Sequence, residues 1–270
     1  MSQSSMKNIA LFAGVTVAAL VLPLATPAGA AHLAYDLVDA TRFGVLNLDT
    51  GAFSSIGSSG AALSGLGVGP GGAIYAGQEH GHTLYRVNTA NGSLTVVGSG
   101  TISYTDTGST TTGLYGLDFS WNLWKIDPLT GASTLIGATG THPNNVVGLS
   151  TNGTTLYESS DNGLYTLNTT TGAGTWIGSI PHIGALVVEG GTLFGGEEPR
   201  TVVTLNASNG TIVHSQAVAS QTGQFWGLAP VSLDGVAAVP EPATWALMLV
   251  GFGLVGVALR RRPAVRVSFV

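Results

Sequence analysis

Few residues in this chain have the type and spacing that chemistry needs. His80-Gly81-His82 is the one close histidine pair. Alternate residues of a strand share a face, so a metal could in principle meet both imidazoles. Gln78-Glu79-His80-Gly81 reads instead as the turn between strands carrying Tyr75 and Tyr85, with no two further ligands in reach. Glu197-Glu198 precedes Pro199. Two carboxylates can divide the work of acid and base, but neighbours in a strand point to opposite faces, and a solvated turn is the expectation. Asp161-Asn162-Gly163 is a turn too, without the spaced acids of a calcium loop. Asp106, His142, His182 and Glu197 could meet only if distant loops converge. There is no cysteine, hence no disulfide and no thiolate chemistry. No phosphate-binding glycine loop and no Gly-x-Ser-x-Gly elbow occurs.

Trp121, Trp124, Trp176 and Trp226 could stack on sugar rings. Trp124 and Trp176 fall in strands where other copies of a repeat carry Tyr85, Tyr165 or Val96, which makes them core residues. Trp121 takes a turn position between Ser120 and Asn122, where bulk is unusual, and is the tryptophan to choose if one is functional.

The elements that must position these residues are repeats. One phrase recurs: FGVLNLDTGAFSSIG from Phe43, LYRVNTANGSLTVVG from Leu84, LWKIDPLTGASTLIG from Leu123, LYTLNTTTGAGTWIG from Leu164 and VVTLNASNGTIV from Val202. Each is an alternating strand, a polar turn and a second strand. The turn glycines Gly51, Gly92, Gly131, Gly172 and Gly210 are spaced by 41, 39, 41 and 38 residues. An Asn or Asp opens every turn, and such side chains bond the backbone two residues on while Gly accepts positive φ. A short aromatic strand precedes each hairpin: LAYD at Leu33, AIYAG at Ala73, LYGLD at Leu114, LYESS at Leu156 and LFGGE at Leu193. A small-residue strand follows each: ALSGLGV at Ala62, TISYTD at Thr101, NVVGLS at Asn145, IGALVV at Ile183 and FWGLAPV at Phe225.

Four short strands about every 40 residues is the period of a propeller blade, and the usual β-helix repeat is shorter. The expectation is an all-β propeller of about five four-stranded blades over residues 31–238. The body opens on the second strand of a blade, at Leu33, and ends on a first strand, at Phe225. The ring closes if Phe225 to Val231 pairs with the N-terminal strands, which removes exposed edges. The hairpin phrase resembles the repeats of quinoprotein-type propellers in the hairpin alone, which implies no quinone cofactor.

Composition agrees with short strands and tight turns. Glycine contributes 40 of 270 residues, and charged residues are 9% against a hydrophobic content of 44%, enough for a core. The body carries 13 acidic and 4 basic residues, a formal charge of −9. Such a body does not track a phosphate backbone, so no nucleic-acid partner is expected.

The positive charge sits at the ends. Lys7 precedes an apolar run from Ile9 to Leu22, Pro23 breaks it, and Ala28-Gly29-Ala30 offers small residues for cleavage. This is the pattern of a signal peptide over 1–30, cut between Ala30 and Ala31. Near the other end, 243–259 carries no charge and at 1.5 Å per residue reaches about 25 Å, a short transmembrane helix. Arg260, Arg261 and Arg262 follow and stay on the cytoplasmic side. Residues 263–270 then form a cytoplasmic tail. Pro240, Glu241, Pro242, Trp245 and Ala246 stand before the apolar run. Their order over 239–262 closely resembles the PEP-CTERM sorting signal, of the form PEPxxWA. The resemblance implies export through the secretion translocon of a Gram-negative bacterium. It also implies recognition by an exosortase, a membrane-anchored precursor, and a link with exopolysaccharide and the cell surface. The tail after the arginines is longer than in many such signals.

Two functions from different classes follow. The first is a non-catalytic scaffold or binding module at the cell surface or in the extracellular matrix, with no cofactor and no metal. The second is an extracytoplasmic sugar or lactone lyase or hydrolase, with its site at the channel mouth. Propeller enzymes collect charged groups there from several inner strands, and Asp106 is the one clear acid on these inner strands. That favours the first.

Overall fold

Alternation of apolar and polar residues, broken by Asn/Asp-to-Gly turns, makes every repeat a set of short antiparallel strands. The computed structural model describes residues 31–141, 147–151, 153–160, 163–219 and 222–231. The expected signal peptide, sorting segment, transmembrane helix and tail lie outside the described residues, as do His142, Asp161 and Asn162. Among the described residues no helix is long and apolar enough to cross a membrane.

Among the described residues twenty strands form five sheets of four. The chain begins with β1 (Leu33–Val38), β2 (Arg42–Asn47) and β3 (Phe53–Ser58). Blade 2 takes β4 (Leu63–Val68), β5 (Ile74–Gln78), β6 (Thr83–Val87) and β7 (Leu94–Ser99). Blade 3 takes β8 (Tyr104–Thr110), β9 (Gly113–Asp118), β10 (Asn122–Ile126) and β11 (Ser133–Ala138). Blade 4 takes β12 (Val147–Leu149), β13 (Leu156–Ser160), β14 (Gly163–Leu167) and β15 (Gly174–Ser179). Blade 5 takes β16 (Ile183–Glu189), β17 (Thr192–Glu197), β18 (Thr201–Leu205) and β19 (Ile212–Ala217). The last strand, β20 (Phe225–Pro230), returns to pair antiparallel with β1 and completes blade 1 in the order β20-β1-β2-β3. The five-bladed ring and its closing strand are as the repeat phase predicts.

The hairpin turns share one chemistry. Asn47, Asn88, Asp127, Asn168 and Asn206 each accept, through Oδ1, the backbone N–H two residues on. Each also accepts, through its carbonyl, the N–H of the turn glycine at 2.7–2.9 Å. Those glycines all hold φ between 69° and 85°.

A second device was not foreseen. In blades 1 to 4 the outer strand carries a one-residue bulge at Ile56, Val97, Ile136 or Ile177, read from the register shifts against the preceding strand. Each bulged side chain packs partly buried against a core cluster. The next residue is Gly57, Gly98, Gly137 or Gly178, where an added Cβ would strike the turn carbonyl of Asn91, Thr130, Thr171 or Asn209 in the following blade. The recurrent aliphatic-Gly pair is thus a bulge plus a docking point for the next blade. Blade 5 has no such pair. Its bulge moves to Val213, which is exposed, and Ala217 presents its carbonyl to Gly51 of blade 1.

Two inner strands differ from the sequence expectation. Instead of Thr101–Asp106, the strand is Tyr104–Thr110. Thr101 and Ile102 donate their N–H groups to Ser133 Oγ, which holds them off the ladder. Ile102 is buried with Tyr75, Leu84 and Tyr104. In blade 4 the described strand is only Val147–Leu149, and Ser150 still bonds Tyr157 of β13 before the chain turns to the other blades.

Candidate functional site

The centre of the ring is closed by close packing. A Cβ at Gly67 would strike Leu114 of blade 3, one at Gly108 would strike Leu149 of blade 4, and one at Gly227 would meet the backbone of Gly65 and Leu66 in blade 2. Inner strands this close cannot form one continuous ladder, so hydroxyls satisfy their backbone groups. Ser64 Oγ donates to the Thr105 carbonyl. Val68 N–H donates to Ser109 Oγ at 2.9 Å, and Gly77 N–H to Thr107 Oγ1 at 3.0 Å. Ser159 Oγ donates to the Ile183 carbonyl at 2.9 Å.

The chain after β12 plugs the channel. Ser150 accepts from Ser109 N–H of blade 3 at 3.0 Å, and Thr151 accepts from Val188 N–H of blade 5 at 2.9 Å. Thr151 Oγ1 donates to the Leu228 carbonyl of blade 1 at 2.9 Å. Gly153 forms a parallel bridge with Thr110 of blade 3. Residues 150, 151 and 153 therefore touch three other blades, and Ser150 and Thr151 are fully buried.

Three buried carboxylates surround this plug or seal the ring. Asp106, on β8, accepts Leu149 N–H and Thr107 N–H, each at 2.6 Å. Burial pushes its carboxyl well above the usual range, against those hydrogen bonds, and the nearby Glu158 adds to the rise. Glu158, on β13 opposite Leu149, accepts Thr141 Oγ1 at 2.8 Å, while its Oε2 has no partner among the described residues. Burial lifts it to about 7. Asp36, on β1, meets Arg200 Nη2 at 2.7 Å across the seam between blades 1 and 5. Burial raises Asp36 to about 6 despite the guanidinium. Arg200 lies over the Phe225 ring at 3.9 Å, and its Nε and Nη1 have no hydrogen-bond partner among the described residues. The burial of Asp36 and Glu158, both on second strands, was not expected, because inward direction depends on packing between blades that alternation does not report.

The sequence candidates scatter. His80 is exposed and stacks on Phe119, whereas His82 Nδ1 lies 2.7 Å from the Ile102 carbonyl. Glu198 is half-buried, not solvated, because its Oε1 accepts Phe225 N–H at 3.0 Å and tethers β20 to blade 5. Burial raises its carboxyl. Glu197 sits opposite Ile183 at the end of β17. His182 is exposed while Asp106 is sealed in the channel, so the two share no cavity. Trp121 is half-buried in its turn at φ 59°. Trp124 is partly buried and donates Nε1–H to Asp118 at 2.7 Å. Trp226 packs partly buried beside Leu37 and Phe43. Trp176 is 53% exposed rather than a core residue. The Ile177 bulge reverses the parity of its strand and turns the ring outward against Tyr165. Among the described residues no group of three or more His, Asp or Glu could hold a metal.

The open concavity lies at the channel mouth, on the face that carries the five Asn/Asp turns. Here the chain enters at His32 and leaves at Val231, whose N–H donates to the Leu33 carbonyl at 3.0 Å. A cavity of about 700 Å³ is lined by Gly69–Gly72, Thr110–Thr112, Lys125, Pro128, Glu189 and Val231. A second, of about 450 Å³, shares Gly71 and Gly72 and is lined by Arg86, Asn88, Thr89 and Thr95. Glu189 closes β16, so the inner strands carry a second acid that the shorter expected strand omitted. Half-buried, its carboxyl is raised by desolvation. The lining can bind through hydroxyls, backbone groups and separated charges. Its two charged side chains, Lys125 and Glu189, form no ion pair with each other among the described residues.

Comparison with known proteins agrees with both parts. The PEP-CTERM protein-sorting motif matches residues 238–262, one residue wider than the segment read from the sequence. The motif implies an exported, membrane-anchored precursor in a Gram-negative bacterium, processed by an exosortase-type enzyme. No curated protein matches the chain by sequence. Among solved structures, a chain of a nidogen/laminin complex aligns with TM-score 0.51 and 11% identity, over 74% of this chain and 98% of that one. A protein of unknown function from Bacteroides thetaiotaomicron aligns with TM-score 0.50 and 14% identity, over 75% of this chain and 65% of its own. Both likenesses are to the fold alone.

Proposed function

We propose that this chain is a cell-surface or extracellular-matrix protein whose propeller is a non-catalytic scaffold or binding module associated with exopolysaccharide. The observation that carries the reading is the sorting motif at 238–262, which addresses the body to the outside of the cell. The plugged channel supports the second half. Thr151 and Ser150 occupy the place where a propeller enzyme would admit substrate, and Asp106 beside them is engaged by the Leu149 and Thr107 N–H groups. The signal peptide, the cut before Ala31 and the membrane helix at 243–259 belong to the same reading.

Two measurements test it. Intact mass spectrometry of protein from the native host should show a start near Ala31 and loss of Trp245 and the arginines. Retention of the whole sorting segment on mature protein at the cell surface would refute the processing. An activity screen on glycans and lactones, before and after chelation, should show no turnover. Turnover abolished by chelator and restored by metal would replace the scaffold with the enzyme reading.

A further inference from the structure

The body has four bases, and two of them are committed to ion pairs. Arg42 meets Asp39 at 2.8 Å and Arg200 meets Asp36 at 2.7 Å. Arg86 and Lys125 enter no ion pair among the described residues. Both are exposed. They hold the same position in adjacent blades, on β6 and β10, each between a tyrosine and a threonine of the flanking strands (Tyr75 and Thr95; Tyr115 and Thr134). The other blades place Val45, Thr166 and Thr204 there. Each free base lines one of the two cavities that share Gly71 and Gly72.

In a body of formal charge −9, unpaired cations on neighbouring blades and beside adjacent concavities are the places where an anion is favoured. Threonine hydroxyls, Asn88 and glycine backbone share the lining with aliphatic residues, of which Ile74, Leu114 and Ile126 are themselves buried in the core. Glu189, which lines the larger cavity from β16 of blade 5, repels a carboxylate and so favours the anion beside Lys125 of blade 3. We propose that this double cavity binds an acidic polysaccharide, with Arg86 and Lys125 each meeting a sugar carboxylate of one chain. The inference rests on the polysaccharide-associated reading above and names its ligand class and site.

The test uses the full chain in detergent, with polygalacturonate, dextran and polyglutamate as probes. Polygalacturonate should bind, and more weakly at about 200 than about 20 mM salt, because exposed charge pairs are screened. The double substitution Arg86→Gln, Lys125→Gln should lower its affinity about tenfold or more, through loss of two charge-assisted contacts, with the melting temperature unchanged. Equal polygalacturonate binding by the double variant overturns this site. Dextran bound as tightly as polygalacturonate, insensitive to both substitutions, overturns the acidic ligand and leaves the polysaccharide scaffold standing. Polyglutamate preferred over polygalacturonate makes the partner an acidic peptide and overturns the glycan. Binding of none of the three overturns both the site and the polysaccharide reading.

Discussion

At the rim of the ring, one solution is used four times: a bulged aliphatic residue, a glycine, and the next blade's turn seated on that glycine. At the centre, no contact is used twice. Ser64 and Ser109 join β4 to β8, Thr107 joins β8 to β5, Asp106 joins β8 to β12, Ser159 joins β13 to β16, and Thr151 reaches β20. The rim is local, since a turn and its hairpin satisfy themselves and repetition costs nothing. The centre is where five strands converge on one axis, and each must fit four others that are not copies of it. Repetition therefore belongs to the periphery and individuality to the core.

The largest expected effect comes from placing a side chain at each kind of glycine. Gly65 holds φ +69°, and a Cβ there would overlap the Asp106 carboxylate and the Thr107 backbone of the next blade. Gly65→Val should cost more than about 4 kcal/mol and abolish cooperative folding, through overpacking combined with backbone strain. Gly92, at φ +76°, has its nearest atoms at 3.4 Å. Gly92→Ala should cost only the left-handed conformation, about 1–2 kcal/mol. Urea melts of the two variants compare them, and equal losses would break the distinction between centre and rim.

Next comes the seam that closes the ring. Arg200→Leu leaves Asp36 buried without its cation and should cost about 3–5 kcal/mol, with Arg200→Leu, Asp36→Leu recovering most of it. If the single variant melts like the parent, the seam is held by β20 pairing alone.

The same division decides what was legible in the sequence. The five hairpins, the blade count and the closing strand follow from periodicity and turn residues, because those signals are local. The bulges were missed although their sign, an aliphatic residue before each of Gly57, Gly98, Gly137 and Gly178, stood in every full copy of the phrase. That omission sent Trp176 to the wrong face. The inner strand of blade 3 was misplaced by three residues because Ser133, thirty residues away, holds Thr101 and Ile102. Asp36, Glu158 and Arg200 were counted as charges, not seen as a buried set, since no local pattern reports what the neighbouring blade places opposite them.

A smaller effect of the centre is its pH dependence. Glu158 is lifted from 4.5 to about 7 by burial. The folded state thus holds its proton more tightly than the unfolded chain. The stability this contributes is complete below about 4.5 and is lost as pH rises through about 7, on the order of 3 kcal/mol. Asp36, raised to about 6, slopes the same way over its own window from 3.8. Melting temperature should therefore fall between pH 4.5 and 7.5. Glu158→Gln keeps the hydrogen bond from Thr141 and should flatten that fall. A variant with the parent's slope would assign the dependence elsewhere.

The smallest effect is expected at the rim, at Trp176. Its ring is 53% exposed and meets Tyr165 edge-on with centroids 5.2 Å apart. Gly163 leaves room for both rings, since a Cβ there would run into each of them. The indole thus packs over Gly163 and Tyr165 with about half of its surface in solvent. Trp176→Ser removes apolar contact on one side only, so it should cost no more than about 1 kcal/mol. Trp124 is the control on the same lateral face. It is partly buried and bonded to Asp118 at 2.7 Å, so Trp124→Phe should cost about 1.5–3 kcal/mol through the lost bond to a charged acceptor. Thermal melts of the two place the boundary between rim and centre inside a single pair of blades. If Trp176→Ser were the costlier change, the outer surface of blade 4 would matter more to the ring than its turn docking, and the division between rim and centre would fail.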